Sequence, residues 1–575
     1  MKLTRVFALT SASTALFLVT LLARGSGATQ KTPPFQTATA ELRFRSFDGS
    51  GNNKNNPTWG QINTQLLRFL PPAYDDGFSA PRARDTNGKP LPNPRDISNA
   101  VINQYGKSIP NSRNASAWIW VWGQFIDHDL ALTEPHLPTS PLSPIPVLNP
   151  NDPLYPLIFF ARSDPFPGTG TGSGNPRQQF NDINSYIDAS QIYGTDADMA
   201  KFLRTNDGTG KLRSQITSRG EFLPFNDPVN PRRNANPFQL PPGSLFIAGD
   251  PRSNENIALS ALHTLFVREH NRLAQQFGAT PDTNARAAAL GLSRDEYIYQ
   301  TARAVVAAEI QAITYNEYLP LLLGKHALGK YEGYKPNVNA TVSSEFAEAA
   351  FRIGHTQVAP EFIRINNDGS SASTISLLKG TSNPQLLLND GIDSILLGLA
   401  SQKEQEVDSM VVEDLRTVKL PGGIGFDLPA IDIERGRDHG LSGYNDVRAA
   451  FGLPRYKSFN QITSDQKTVQ RLRNAYGLNP DGSDNVNAVD LIVGGMCEKH
   501  VKGGMVGELF SRIIADQFRR SRDGDRFFYL NPNNPNPDIV ALQPKLQTLR
   551  LSDIIREHST ITTIQDDAFI TRKHP

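Results

Sequence analysis

Apolar residues recur at helical spacing over long stretches of this chain, and strict polar–apolar alternation is scarce. Segments 115–132, 254–277, 284–320, 342–357, 463–476 and 504–520 carry that pattern and predict helices. Connections rich in Gly, Pro and Asn run between them, notably 134–178, which predicts a mobile surface loop. Neither an internal repeat nor a low-complexity tail interrupts the pattern. The expected architecture is mainly α, one large helical domain over 41–575 with little β structure, preceded by a disordered segment at 29–40.

Inside the first of these helices, Trp122 to Asp129 reads Trp-Gly-Gln-Phe-Ile-Asp-His-Asp, at the end of an apolar run that carries three tryptophans. Unpaired charge in such a helix is costly, so these polar groups demand partners or ligands. Successive helical residues point about 100° apart, which puts Gln124, Asp127, His128 and Ala131 roughly on one face and turns Asp129 away. One helix therefore offers an imidazole, an amide and a carboxylate to one ligand, and a second carboxylate to another.

Four further clusters stand out. His355 follows Gly354, whose lack of a side chain admits a flat ligand close to the backbone; taken alone, a buried His reads first as a satisfied core residue, and His263, His270 and His439 fit that reading. Asp250-Pro251 is a good helix start and would place Arg252 and Glu255 three apart on one face, where an exposed ion pair is the plain alternative. Ala430 to Gly440 crowds Asp432, Glu434, Arg435, Arg437, Asp438 and His439 together, which alone describes a buried salt-bridge network. Asn184, Asp188 and Ser190 fall at even spacings, so an extended loop would aim their oxygens to one side. With Asp129 they supply several of the six to eight hard oxygens calcium takes; a set of Asx turns is the equal alternative.

Charge narrows the partners little, except that 58 basic against 57 acidic residues favours neither nucleic acid nor an anionic membrane surface. Lys2 and Arg5 precede an apolar run from Val6 to Ala23, and Ser26-Gly27-Ala28 offers small residues for cleavage. Residues 1–28 thus read as a secretory signal peptide, and the mature chain is expected outside the cytoplasm, extracellular or periplasmic, with no membrane attachment. Cys497 is the single cysteine, so no internal disulfide is possible; it reads as a small core residue, and a secreted chain without disulfides points to a bacterial source.

Taken in order, these segments resemble the animal-type haem peroxidases, the superfamily of myeloperoxidase, lactoperoxidase and peroxidasin. The likeness begins near Arg45-Ser-Phe-Asp-Gly-Ser-Gly-Asn-Asn53 and runs through Pro72-Ala-Tyr-Asp-Asp-Gly77 and the 122–129 helix. It continues in Tyr186-Ile-Asp-Ala-Ser-Gln-Ile-Tyr-Gly194, Leu262-His-Thr-Leu-Phe-Val-Arg-Glu-His-Asn271 and Arg522-Asp-Gly-Asp-Arg526, covering nearly all the chain beyond the N-terminal segment. The resemblance implies the myeloperoxidase-type helical fold, haem b and calcium. It makes His128 the distal base, with Gln124 beside it and Arg252 the distal arginine, and His355 the proximal iron ligand. Asp127 and Glu255 match carboxylates that form ester bonds to haem, Arg352 and Arg435 match arginines near a propionate, and Asp432 matches the partner of the proximal imidazole. Asp129, Asn184, Tyr186 (through its carbonyl), Asp188 and Ser190 match the calcium site, with Asn184 where Thr is usual.

Three positions refine the expected activity. Asp432 stands where the superfamily has Asn, and an anionic partner would make the imidazole a stronger donor to iron. Asn256 stands where myeloperoxidase has the Met of its sulfonium link, so bromide, iodide, thiocyanate and phenols are the expected donors rather than chloride. Arg352 stands where the cyclooxygenases and fatty-acid dioxygenases carry a radical-forming Tyr. The resemblance thus implies a secreted, monomeric peroxidase that reduces hydrogen peroxide and oxidises a small donor. A fatty-acid dioxygenase using another Tyr is the runner-up, and a haem-retaining adhesion protein a more remote one.

Overall fold

The computed structural model describes residues 43–571 apart from 138; the expected signal peptide and the 29–40 segment lie outside the described residues. Helix α1, Trp118–Leu130, is apolar nearly all round, and Trp118, Ile119, Val121, Trp122, Phe125 and Ile126 are fully buried. A helix hydrophobic on every side belongs in a core. It crosses α2, Ile257–Ala279, where Phe125 and Phe266 stack at 5.5 Å and Trp122 lies 6.0 Å from Phe266. Each such side chain contributes about 1.5–3 kcal/mol relative to an exposed one. One buried cluster extends from Leu66 to Phe569, so helices far apart in sequence share a single interior.

Several predicted helices change shape for identifiable reasons. Segment 254–277 becomes α2 only from Ile257, because the side chain of Asn256 accepts from the Leu259 amide at 2.8 Å and caps the helix there. Segment 284–320 is divided: Thr283–Ala289 ends at Gly291, whose φ of 67° turns the chain, and Ser293 caps α3, Arg294–Ile313. Segment 342–357 is not one helix but three short pieces, Ser344–Ala347, Ala350–Ile353 and α4, Gly354–Gln357. Ala349 breaks it at φ −143°, beside Glu348, whose buried carboxylate bonds Thr133 and Arg352 rather than facing solvent. The charged stretch at 430–440 lies in a helix that periodicity did not reveal, α5, Leu428–Asp438, capped by the side chain of Asp427. Segments 463–476 and 504–520 correspond to α6, Gln466–Tyr476, and α7, Glu508–Asp523.

The 134–178 stretch is mostly irregular and lies at the surface, as its composition predicts, but parts of it are built into a small sheet. This stretch contains β1, Ile145–Pro146, and β2, Leu157–Ile158, which join β5, Val418–Leu420, and β6, Ile424–Phe426, in a four-stranded sheet of order β1-β2-β6-β5. β1 and β2 are antiparallel, with Ile145 opposite Ile158, while β2 and β6 run parallel. Ile145, Val147, Leu154, Ile158 and Phe160 form a small core against Ala430 of α5, and Arg95 grips Asp152 through two bonds of 3.0 Å. A hairpin, β3 (Glu361–Ile365) with β4 (Ser371–Ser376), follows α4. Among the described residues, no helix is long and apolar enough to cross a membrane.

Candidate functional site

The packing of α1 brings its polar turn against residues 250–256. This stretch is a turn, not the predicted helix start: the Glu255 amide donates to the Arg252 carbonyl at 2.9 Å, and the helix waits for Asn256. Gln124 donates to Glu255 at 2.7 Å and accepts from Asn256 at 2.9 Å. His128 sits with Nε2 3.7 Å from Glu255 and Nδ1 3.7 Å from Asp250. Arg252 is clamped by Asp250 through Nε at 2.9 Å and Nη2 at 2.8 Å, donates to the Ala131 carbonyl at 3.0 Å, and brings Nη1 to 3.6 Å from Asp127.

This environment separates the protonation states of its members. Burial and the neighbouring Arg252 hold His128 well below the ordinary imidazole range, with Asp250 offsetting only part, so His128 is a neutral base near pH 7. Burial alone would raise Asp250, but Arg252 and His128 draw it to about 2. Burial likewise opposes charge on Arg252, yet Asp250 keeps that guanidinium firmly protonated. Asp127 rises to about 6 and Glu255 to about 7, chiefly through desolvation, with Arg252 opposing.

On the other side, α4 packs against α1 and carries His355. The imidazole donates through Nδ1 to Asp432 of α5 at 2.7 Å, which leaves Nε2 as the free nitrogen. Arg352 does not stand loose in the cleft: Nη1 donates to Asp432 at 2.7 Å and Nη2 to Glu348 at 2.6 Å. Arg435 donates to Ser163 at 2.8 Å and lies over the Phe160 ring at 4.4 Å. Asp127 feels Arg252, Arg352 and His355 together, so charged groups from the 250–256 turn and from the segment around α4 lie near one carboxylate of α1. Side-chain accessibilities there are 29 % for Asp127, 41 % for Glu255 and 30 % for His355, against 3 % for His128, which marks a cleft inside the core rather than an outer surface. A recess of about 880 Å³ lined by Arg113, Pro320, Lys325, Lys502 and Arg550 shares none of these residues.

The donor set suits haem on two counts. With Nδ1 engaged by Asp432, Nε2 of His355 is the nitrogen an iron would take. Gly354 has ordinary helical backbone angles, and a Cβ added there would meet only Gln357 Oε1 at 3.9 Å, so its missing side chain keeps space beside His355 rather than relieving strain.

Asp129 turns to the opposite side of α1, as its position in the helix predicts. It is fully buried and accepts from the amides of Asp188 (3.0 Å), Ala189 (3.0 Å) and Ser190 (2.6 Å) and from the Ser190 hydroxyl (2.6 Å). Asn184 donates to Asp188 at 3.3 Å and accepts from the Tyr186 amide at 3.0 Å. The loop is not extended: Ala189 takes φ 67°, and Ser190 begins a short helix, Ser190–Tyr193. Burial and then Asp188 push Asp129 up to about 8. Among the described residues, Arg303, 3.5 Å from Asp188, is the one cation that offsets the pair by direct contact, so two carboxylates and the surrounding oxygens suit a hard cation.

Asp250, Glu348 and Thr133 were not among the expected site residues. Asp250 bonds Arg252 only two residues on, but its reach to His128 is tertiary, and Thr133 and Glu348 meet across 215 positions, so nothing local marks any of the three as a site residue. His263, His270 and His439 are buried core residues, all lowered to about 4 chiefly by burial. Cys497 is also buried, its thiol raised to about 12 by desolvation, which fits a core residue rather than a nucleophile.

The family model described as animal haem peroxidase matches residues 44–569. The chain is 35 % identical to peroxidasin homolog pxn-1 of Caenorhabditis elegans over 92 % of its own length, and spans 43 % of that longer relative. Among solved structures it resembles peroxidase A of Dictyostelium discoideum at 32 % identity and TM-score 0.80, covering 92 % of this chain and 100 % of that one. An Arabidopsis thaliana fatty acid alpha-dioxygenase shares the fold at 20 % identity and TM-score 0.74, covering 95 % of this chain and 86 % of that one.

Proposed function

Because the chain belongs to the animal haem peroxidase family, we propose that it is itself a haem peroxidase that reduces hydrogen peroxide and oxidises a small donor. The observation that carries this reading is a buried, neutral imidazole beside a guanidinium that reaches Asp127, together with a second imidazole bonded to a carboxylate and within electrostatic range of the same Asp127. Haem bound between them, ligated by His355, would supply the iron and the oxidising equivalents. Neutral His128 would take a proton from one oxygen of the peroxide and return it to the other as that oxygen departs. Arg252, held in place by Asp250, stabilises negative charge that develops as the O–O bond parts, in a site with little water to screen it. Gln124 fixes Glu255 and the orientation of the distal turn.

In this reading Asp127 and Glu255 are the carboxylates that would form ester bonds to haem, and Asp129, Asn184, Tyr186, Asp188 and Ser190 would offer oxygens to calcium. Bromide, iodide, thiocyanate and small phenols are the proposed donors, because Asn256 bonds Gln124 and offers no sulfur to haem. Secretion through the 1–28 segment fits this chemistry. The alpha-dioxygenase likeness supports a lipid dioxygenase at the level of fold only, and the guanidinium of Arg352 fills the position where such a reading wants a phenol.

The test is the optical spectrum of the haem-reconstituted chain before and after peroxide. A Soret band that shifts, and returns when bromide, iodide, thiocyanate or a phenol is added, is expected. His128→Ala should slow the peroxide-dependent shift by about 10²–10⁴-fold. Oxygen uptake with linoleate in the absence of peroxide would instead select the dioxygenase.

A further inference from the structure

A continuous line of hydrogen bonds leads from the segment that leaves the distal helix to the proximal imidazole. Thr133, three residues beyond α1, donates to Oε1 of Glu348 at 2.6 Å. Arg352 donates to Oε2 of Glu348 at 2.6 Å and to Oδ1 of Asp432 at 2.7 Å, and His355 donates to Oδ2 of Asp432 at 2.7 Å. Nε of Arg352 donates to the Ala347 carbonyl at 3.1 Å, so the guanidinium is fixed along all its edges. Glu348 and Asp432 are buried, at 1 % and 2 % exposure. Further titratable groups facing this line are His439, 3.8 Å from Glu348 and kept neutral by burial at about 4, Arg435, which acts on Glu348, and Asp127, which acts on Arg352.

Two buried carboxylates therefore divide one guanidinium. A carboxylate that accepts from a ligating imidazole makes the ligand more electron-rich. A guanidinium bonded to the other oxygen of that carboxylate draws negative charge away from the imidazole. Glu348 draws the same guanidinium back. We propose that Glu348 and Arg352 are positioning residues that set how much negative charge Asp432 presents to His355, and so tune the reduction potential of bound iron. Thr133, by stabilising Glu348, ties that setting to the distal side of the cleft. The proposal rests on the reading of His355 as the iron ligand.

The experiment is a spectroelectrochemical titration of the Fe(III)/Fe(II) couple in the haem-loaded full chain. Asp432→Asn removes the anion and should raise the potential. Arg352→Met leaves the anion unshared and should lower it. Glu348→Gln releases Arg352 to Asp432 and should raise it, although it touches neither His355 nor Asp432. Thr133→Val weakens the hold on Glu348, strengthens its pull on Arg352, and should lower it. The shifts for Asp432→Asn and Arg352→Met should each reach a tenfold change in the redox equilibrium, 59 mV for one electron.

Should Arg352→Met fail to fold, the opposite signs expected of Glu348→Gln and Thr133→Val still decide the matter. Unmoved potentials, or shifts of one sign in all four variants, with wild-type haem absorption retained, overturn the tuning role and leave the peroxidase reading standing. Wild-type haem ligation in His355→Ala removes the ligand assignment itself and the proposal with it.

Discussion

His263 shows how burial alone sets the behaviour of a single side chain. Both its ring nitrogens lack a hydrogen-bond partner among the described residues, its ring meets Phe125 edge-on at 5.0 Å, and burial lowers it to about 4. In the unfolded chain the same group titrates near 6.5, so as pH falls from about 6.5 to 4 the unfolded state binds a proton that the folded state refuses. This histidine thus supports folding above that window and loses its support within it. A His263→Leu variant also removes two unsatisfied polar atoms. Its melting temperature should gain on the wild type as pH drops from 7.5 to 4.5, by an amount equivalent to roughly 2–3 kcal/mol. Parallel melting curves at all pH values would remove this account. The same scale explains which site residues were legible. His128, Arg252 and His355 are conspicuous as residue types in unusual company, whereas Asp250 and Glu348 matter through what they touch, 2.8 Å and 2.6 Å away.

At the scale of elements, α1 does two tasks on opposite sides, and its seating depends on Gly123. A Cβ built there would come 2.8 Å from the hydroxyl of buried Tyr318, in the turn that follows α3. Gly123→Ala should therefore push the helix off its neighbour and cost about 1–3 kcal/mol, read by chemical denaturation. Tyr318→Phe in the same background should restore most of the loss, since the clash is with the phenol oxygen; an additive double variant would place the strain elsewhere. The broken 342–357 segment carries the converse lesson. Its apolar spacing satisfied a helix, but a helix through Ala349 would carry Glu348 away from Thr133 and Arg352. Periodicity reports which face is buried, and not whether a polar side chain on it has a fixed distant partner.

Across the whole molecule, the loop at 184–190 is where four remote segments are tied together. Asp129 of α1 binds its amides, and Gln311 of α3 donates to the Ile187 carbonyl at 2.7 Å and to Asp525 at 3.0 Å. Arg45 reaches the same Asp525 at 2.6 Å, and Asn52 does so at 2.9 Å. Burial raises both Asp129 and Asp188, and Asp188 pushes Asp129 further; a cation shared by the two would offset that cost. Calcium at a hundred times its dissociation constant should then add about 2.7 kcal/mol of stability over the chelated protein, visible as a higher melting temperature. Asp129→Asn should abolish that response. Equal melting temperatures with calcium and with chelator would rule out a cation at this loop.

The sequence by itself determined the helical class, the apolar character of α1, the opposite facing of His128 and Asp129, and the chemistry each cluster carries. Those properties follow from residue type and the fixed angle between neighbours on a helix, which need no knowledge of the rest of the chain. Tertiary structure alone decided that two short strands of 134–178 join a small sheet against α5, that 250–256 is a turn, and that Arg352 reaches Asp432 as well as Glu348. A hydrogen bond between residues far apart in the chain leaves no trace in local periodicity. Its formation depends on how the common core orients the elements that carry its two ends.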